Sequence, residues 1–296
     1  YLRPKSFTGE MVGDAIVKGA RERESQMYGI TVGGPIIKNK LFFFVSGEYE
    51  KESSPSGAWE PSTNGTVDLT NRISRTTVAD LERAKNHLMN TYGYDPGEYQ
   101  NFSAFPSQNY KILARIDWNI ARNHKFVARY NRLRNTSTSL TNASSGPSGV
   151  PRSNYSRVGE KSISFSNAFY GNENAIDAFA AELNSTFGSR VANKLLVSYT
   201  ATTDPRRTSN SDLFPFVDIY KDGDPYMSFG YELFTYKNQV LNNTLSVTDN
   251  ISINLDKHTI TAGLSYSNIY VNNSYIREGT SYYRYASLDD FINNAK

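Results

Sequence analysis

The chain has 296 residues, a net charge of +3, no cysteine, and only 38% hydrophobic residues, yet 21 of its residues are Tyr and 16 are Phe. Without cysteine, a disulfide framework, thiolate catalysis and a thiolate metal site are excluded, and so small a charge with no basic block leaves no footprint for nucleic acid. No apolar run is long enough for a transmembrane helix, but the mean hydropathy of −0.55 says nothing against barrel strands, which need about 9–11 residues each, half of them polar.

The chain opens at Tyr1 with neither Met nor signal peptide and stops at Lys296, just past a possible helix start at Ser287. Both ends are therefore expected to lie inside a longer protein. Tyr28 to Glu50 reads as two strands joined by the polar turn Lys38-Asn39-Lys40. Tyr28, Ile30, Val32 and Ile36 fall on one parity, and Leu41, Phe43, Val45 and Tyr49 on another. Alternation with period two sends alternate side chains to opposite faces of a strand, so the pair is a hairpin with one greasy, aromatic face. The other face carries Thr31, Ser46, Glu48 and Glu50. Gly33-Gly34-Pro35 lacks the strand-then-helix setting of a phosphate loop, and is expected to bend the strand or to let something approach its inner face closely.

The polar segment 53–106 holds one helix, over about Thr77 to Tyr92, with Val78, Leu81, Leu88 and Met89 at helical spacing, a threonine cap and a closing Gly93. A second hairpin follows. Tyr110, Ile112, Ala114, Ile116, Trp118 and Ile120 alternate with polar residues, and after Arg122-Asn123-His124 come Phe126, Ala128 and Tyr130. The third pair is Asp177–Phe187 and Lys194–Thr203 about Gly188-Ser189-Arg190. The fourth is the most regular: Leu241, Leu245, Val247, Ile251, Ile253 and Leu255, then the turn Asp256-Lys257, then Ile260, Ala262, Leu264 and Tyr266.

The connections alternate short and long. A soluble sandwich has no such asymmetry, whereas outer-membrane barrels have short periplasmic turns and long outer loops. The expected fold is all-β: an antiparallel up-and-down transmembrane β-barrel segment of about eight strands, an incomplete, open curved sheet with a short helix in its first long loop. Residues 1–296 form a single partial barrel domain, and 53–106, 137–160, 204–235 and 273–296 are its long extracellular loops. Tyr49, Tyr110, Tyr130, Tyr199 and Tyr266 share the apolar parity and are each read as standing roughly 6–9 residues from a short turn. Eight residues at ~3.4 Å each and ~40° tilt rise about 21 Å, close to the ~25 Å apolar band whose borders carry aromatic girdles. These five are the expected membrane girdle.

Signs of bond chemistry are missing. His87, His124 and His258 have no metal-type spacing, and His124 and His258 each open a strand after a short turn. No GxSxG, HExxH or phosphate-loop motif occurs. Asp218, Asp222 and Asp224 in DIYKDGDPY do not fit a calcium loop and read as a turn. No catalytic, cofactor or metal residue is expected, no enzyme activity, and no substrate-binding residue can be assigned.

The segments GGPIIKNKLFFFVSGEYE (33–50), ADLERAKNHLMNTYGYDPG (79–97), KILARIDWNIARNHKFVARYN (111–131), AAELNSTFGSRVANKLLVSYTATTDPR (180–206) and DKHTITAGLSY (256–266) resemble, in order, the TonB-dependent outer-membrane transporters, specifically their Oar-like branch. The resemblance implies a bacterial outer-membrane protein with a plug domain and a barrel of about 22 strands, of which this chain holds the first part. It implies the lipid bilayer, the protein's own plug and the TonB complex as partners, a small-molecule, glycan or peptide substrate, and energy from the inner-membrane proton gradient. The plug, the TonB box and a C-terminal insertion signal are not found in this chain. Two other readings remain: a passive porin or adhesin-like barrel, and a secreted soluble β-sheet protein that binds glycans, with Trp59 and the loop tyrosines as stacking platforms.

Overall fold

A computed structural model describes residues 11–12, 15–16, 23–102, 104–208 and 212–293. Tyr1, residues 103 and 209–211 of two expected loops, and 294–296 of the last lie outside the described residues. In chain order the first elements are β1 (Met11–Val12), β2 (Ala15–Ile16), β3 (Glu24–Ile37), β4 (Leu41–Pro55), β5 (Glu60–Ser62), β6 (Ile73–Thr77) and α1 (Val78–Tyr92). Next come β7 (Ala104–Ala121), β8 (His124–Ser139), β9 (Ile163–Ser164), β10 (Tyr170–Phe187) and β11 (Val191–Thr208). The last are β12 (Phe216–Lys221), β13 (Asp224–Phe229), β14 (Gln239–Leu255), β15 (His258–Ser274), β16 (Tyr282–Tyr285) and α2 (Leu288–Ile292).

Eight long strands form one open antiparallel sheet, in the order β15-β14-β11-β10-β8-β7-β4-β3. Each pairs with its neighbour in sequence, as an up-and-down sheet requires, and β3 and β15 are left as edges. The strands run from 14 residues in β3 to 18 in β10, far beyond the ~5–6 usual in globular proteins. The short turns carry the backbone that tight hairpins need: Asn39, Gly188 and Asp256 all have positive φ. His124 and His258 open β8 and β15 directly after two-residue turns.

The sheet is sheared. One row of paired residues crosses it from Tyr28 through Tyr49, Tyr110, Arg134, Ala175, Thr203 and Leu241 to Asn272. From that row the short turn lies nine residues away at Lys40, twelve at Arg122, thirteen at Gly188 and fifteen at Asp256. The turn edge therefore slips about one residue per strand. At ~3.4 Å rise and ~4.8 Å strand spacing this is a strand tilt of about 35–40°, the tilt that closing a barrel demands.

The four long connections do not stay irregular. They fold together into a cap at one end of the sheet. β16, β12, β13 and β9 make a four-stranded sheet, with β12 and β13 antiparallel and the outer pairs parallel. The hairpin between β12 and β13 turns at Asp222-Gly223, both with positive φ, which is the turn expected from DIYKDGDPY. Helix α1 starts where Thr77 accepts the Asp80 N–H and ends at Gly93 in the left-handed region, whose N–H meets Met89 O. It buries Leu81, Ala84 and Leu88 against Ile163, Phe165, Ile219, Met227, Phe229 and Phe291. Among the described residues every fully buried apolar side chain belongs to these connections and none to the eight long strands. The hydrophobic core thus sits in the cap. The large sheet has no core of its own.

Candidate functional site

The apolar face of the sheet is the first part of the site. Ile30, Leu264 and Tyr266 are 70%, 77% and 57% exposed, and Val45, Ile112, Ile116, Phe179, Tyr199 and Ile251 share this face. An exposed apolar surface running over eight strands is too large for a monomer in water. A bilayer is the solvent that suits it, because the antiparallel ladder satisfies the backbone of each inner strand internally.

The opposite face is wet. Across β14 and β15 it carries hydroxyl pairs: Ser246 with Ser267 at 3.0 Å, Thr248 with Ser265 at 3.0 Å, Ser252 with Thr261 at 2.9 Å. Across β4 to β11 it carries charge pairs, with the Lys111 ammonium donating to Glu48 at 2.5 Å, Arg115 to Asp117 at 2.7 Å and Lys194 to Glu182 at 3.1 Å. The sequence reading missed Phe42 and Phe44 on this wall. Phe44 explains the glycine next to it: a Cβ on Gly33 would stand 3.1 Å from the Phe44 ring and 3.2 Å from Phe43 O. Just beyond, the register shifts between Pro35 and Ile37, so the expected bend falls there.

The tyrosines expected as a girdle all lie on the apolar face. Tyr49 and Tyr110 are paired, their ring centroids 4.8 Å apart. Tyr130 and Tyr199 share one row with Phe179 between them, and Tyr266 stands opposite Val247. Counted from the short turns, Tyr49, Tyr199 and Tyr266 are each nine residues up and Tyr130 seven, but Tyr110 is twelve up, beyond the interval read from the sequence, because the turn edge slips along the sheared sheet. Past the tyrosines the same face becomes polar: Gln26 and Gln108 accept from the Tyr28 and Tyr110 hydroxyls, and Asp177 accepts from Tyr130. One charged residue interrupts the apolar band below. Asp249 points out beside Leu195 and Leu264, its carboxylate held by the Asn193 amide at 2.6 Å.

The cap is fixed by a buried ion pair. Arg157 grips Asp218 with Nε and Nη2, both at 2.7 Å, while Ser228 and Tyr282 donate to the same carboxylate at 2.8 and 2.7 Å. Arg157 also donates to Asn142 O at 3.0 Å. Burial opposes the Arg157 charge, but the hydrogen bonds and charge of Asp218 outweigh it and raise its pKa. Burial together with Asp218 likewise raises the Tyr282 phenol. One network thus joins three of the four long connections. Beside it lies an open cleft of about 890 Å³ walled by Tyr92, Phe214, Tyr283, Arg284, Tyr285 and Phe291. The periodicity that exposed the long strands is silent on this cleft, since its walls come from short strands and turns far apart in sequence. Trp59 is half-buried against the cap core. Among the described residues no group of His, Asp and Glu has the arrangement of a metal site, and His87 and His124 bond to Thr91 and Ser185.

An open sheet with a lipid-facing side, a polar side, barrel tilt and short turns at one end defines the class: a segment of a membrane β-barrel. Residues 17–291 match the outer membrane beta barrel domain family, and the chain belongs to that family. It is a bacterial outer-membrane chain, which sets aside the secreted soluble reading. No curated protein sequence matches it. Among solved structures it is similar to the outer membrane transporter YddB from Escherichia coli, with a TM-score of 0.52, 5% identity, and coverage of 86% of this chain and 26% of that one. It is also similar to the siderophore receptor PirA from Acinetobacter baumannii (TM-score 0.47, 14% identity, 86% and 29% covered) and to the ferric enterobactin receptor PfeA from Pseudomonas aeruginosa (0.43, 10%, 86% and 29%). At such identities the likeness concerns the fold. The chain spans between a quarter and a third of the length of these proteins.

Proposed function

We propose that this chain is part of the barrel of a TonB-dependent transporter of the Oar-like branch, which takes a substrate up across the outer membrane. The observation that carries the reading is the sheet itself: eight tilted strands, two unpaired edges and a polar inner wall, matched over 86% of the chain to about a quarter of a larger transporter. An open sheet needs further strands at both edges, and a wall of charge pairs and hydroxyls suits a lumen filled by water and a polar plug. The cap faces the outside, and its aromatic cleft is where a substrate first makes contact. The protein holds and passes its substrate without bond chemistry.

The test begins with the complete reading frame. A plug and a TonB box are expected upstream of this segment, and their absence would favour a passive porin. Sidedness follows from single cysteines, which this cysteine-free chain makes unambiguous if the rest of the protein is freed of cysteine. In whole cells a membrane-impermeant maleimide should label Ser148→Cys in the cap and spare Lys257→Cys in a short turn. The reverse pattern overturns the orientation.

A further inference from the structure

The cleft beside the buried ion pair is an aromatic box with a single acid on its lining. It has a volume of about 890 Å³ and is walled by Tyr92, Phe214, Tyr283, Tyr285 and Phe291, with Asp290 as the acid. The rings hold one another at fixed angles. Tyr92 stacks on Phe291 with centroids 6.3 Å apart and meets Phe214 edge-on at 5.8 Å, while Tyr285 meets Phe291 edge-on at 5.3 Å. Yet Tyr92 and Tyr283 remain 46% and 50% exposed, so part of this ring surface is left uncovered. The charges on the border are arranged to one side. β16 lies parallel to β12, with Tyr283 beside Val217 and Arg284 beside Asp218. Tyr283, Tyr285 and Val217 therefore share the face of the cleft, and Arg284 alternates with them onto the other. There its Nε donates to the Tyr282 hydroxyl at 2.9 Å and its Nη1 to Pro151 O at 3.0 Å, and its guanidinium lies 4.5 Å from the centre of the Tyr220 ring. Asp290 is the opposite case. Its backbone N–H donates to the Ser287 hydroxyl at 3.1 Å, but its carboxylate has no ion pair or hydrogen bond among the described residues, whereas the neighbouring Asp289 pairs with Arg83 at 2.7 Å.

We propose that this cleft binds an organic cation, an alkylammonium or guanidinium group carried by the cargo. The inference rests on the transporter orientation proposed above, which makes the cleft the first contact of the substrate, and it adds the chemical class of that substrate. The face of an aromatic ring carries negative potential, so rings gathered around a cation with apolar substituents attract it, most strongly where water is excluded. The unpaired Asp290 carboxylate supplies the counter-charge. The same walls disfavour other occupants. An anion would meet Asp290 and no unspent cation. A metal ion needs several oxygen ligands at once, and the cleft offers one carboxylate. A neutral sugar needs planar side chains that both donate and accept, and no Asn, Gln or Lys borders the cleft.

Calorimetric titration of the full-length protein in detergent tests this with matched probes. Choline is compared with the neutral alcohol that has carbon in place of its nitrogen, and a blocked tripeptide centred on lysine with one centred on methionine. At least one cation should bind at least roughly tenfold tighter than its neutral partner, and Asp290→Asn should remove most of that difference. Tyr283→Leu, which keeps the apolar bulk and loses the ring, should weaken the cation by about threefold or more, and Tyr283→Phe, which keeps the ring, should lose less. Hydrogen exchange over the cap confirms that the variants keep it folded. Tighter binding of choline marks a free small amine as the source of the cation, and tighter binding of the lysine peptide marks a basic side chain. Equal binding of each cation and its neutral partner overturns the proposal, as does undiminished binding by Asp290→Asn, tighter binding of maltohexaose than of either cation, or no binding of any probe. Sidedness is read separately. If the cation pattern holds but Ser148→Cys escapes the impermeant maleimide in whole cells, the cleft stands and the transporter orientation falls; if the label appears and the cation pattern fails, only this proposal does.

Discussion

Removing the Arg157 side chain is the most demanding test of how the cap is held. Asp218 is 2% exposed and its carboxylate receives four hydrogen bonds, two of them from Arg157. In Arg157→Met the stem is replaced by a side chain of similar reach, but the carboxylate keeps only Ser228 and Tyr282. Breaking a buried pair on one side costs about 3–5 kcal/mol, since the remaining charge is left uncompensated. At 1.36 kcal/mol per decade this is a fall of roughly two to four decades in the local protection factor. The loss should appear where the network reaches: around Asn142 and Arg157, along β12 and β13, and at Tyr282 to Tyr285. The paired strands below should keep their protection, because their ladder and lipid face do not depend on the cap. Hydrogen exchange read by mass spectrometry on the full-length protein in nanodiscs measures both. The double variant Arg157→Met/Asp218→Leu should recover much of the loss, as apolar replacements of buried pairs do. Unchanged exchange in the cap of Arg157→Met would refute the claim that this pair holds it, and equal loss through the long strands would refute the independence of cap and sheet.

Other outcomes follow from single positions. Gly230 has φ +98° and its Cβ would fall 2.0 Å from Pro215 O, so Gly230→Ala must displace backbone; a loss of more than about 2 kcal/mol is expected, visible as increased proteolysis of the cap. Burial raises the pKa of Glu232 above its ordinary value. The folded cap therefore enjoys full stability from this group below the unfolded carboxylate pKa and loses it as pH rises through the folded one. Glu232→Gln should accordingly slow hydrogen exchange over 231–238 at neutral pH, with the two proteins converging in acid; a gap that widens in acid contradicts the sign. For the girdle, Tyr199→Trp should be quenched best by lipids brominated near the headgroup and Val197→Trp by bromines deeper in the chain, with identical depth profiles counting against a border at Tyr199. Asp249 interrupts the apolar band, so Asp249→Leu should ease insertion by about 1 kcal/mol in urea-driven refolding into lipid, and no gain would mean that the Asn193 amide compensates the carboxylate fully.

The eight strands were legible in the sequence because of a local rule: alternation along the strand, closed at one end by a short turn, as in Leu241–Leu255. Helix α1 was legible for the same reason, with Thr77 and Gly93 marking its ends where the structure puts them. The cap sheet was not. β12 and β13 are six residues each, buried on both sides, and so show no alternation, and the parallel partners β9 and β16 come from segments far away in sequence. The same holds for Arg157 and Asp218: Asp218 was read as part of a turn but lies in β12, and the two meet across 61 positions. Asp249 failed in the opposite way: a parity pattern read from its apolar members passes over the one charged residue among them. Phe42 and Phe44 were likewise hidden within the run LFFFV, where both parities are apolar and alternation cannot be seen.

The division between cap and sheet bears on how the chain can fold at all. The long sheet buries no apolar side chain completely among its described residues, so water gives it little reason to form, whereas the cap has a core of fourteen buried side chains in one cluster. Yet the cap's segments arrive from connections separated by the long hairpins, and bringing them together in an unfolded chain costs loop-closure entropy at each step. Hairpins formed against lipid shorten those loops to the width of two strands. The sheet therefore acts as the template that gathers the cap, and the cap core in turn fixes the order of the hairpins at one end. That reciprocity predicts that cutting the cap core, for example with Leu88→Ala, a loss of about 2–5 kcal/mol, slows folding into vesicles much less than it speeds loss of the folded cap. Equal slowing of hairpin insertion would mean that the cap forms first.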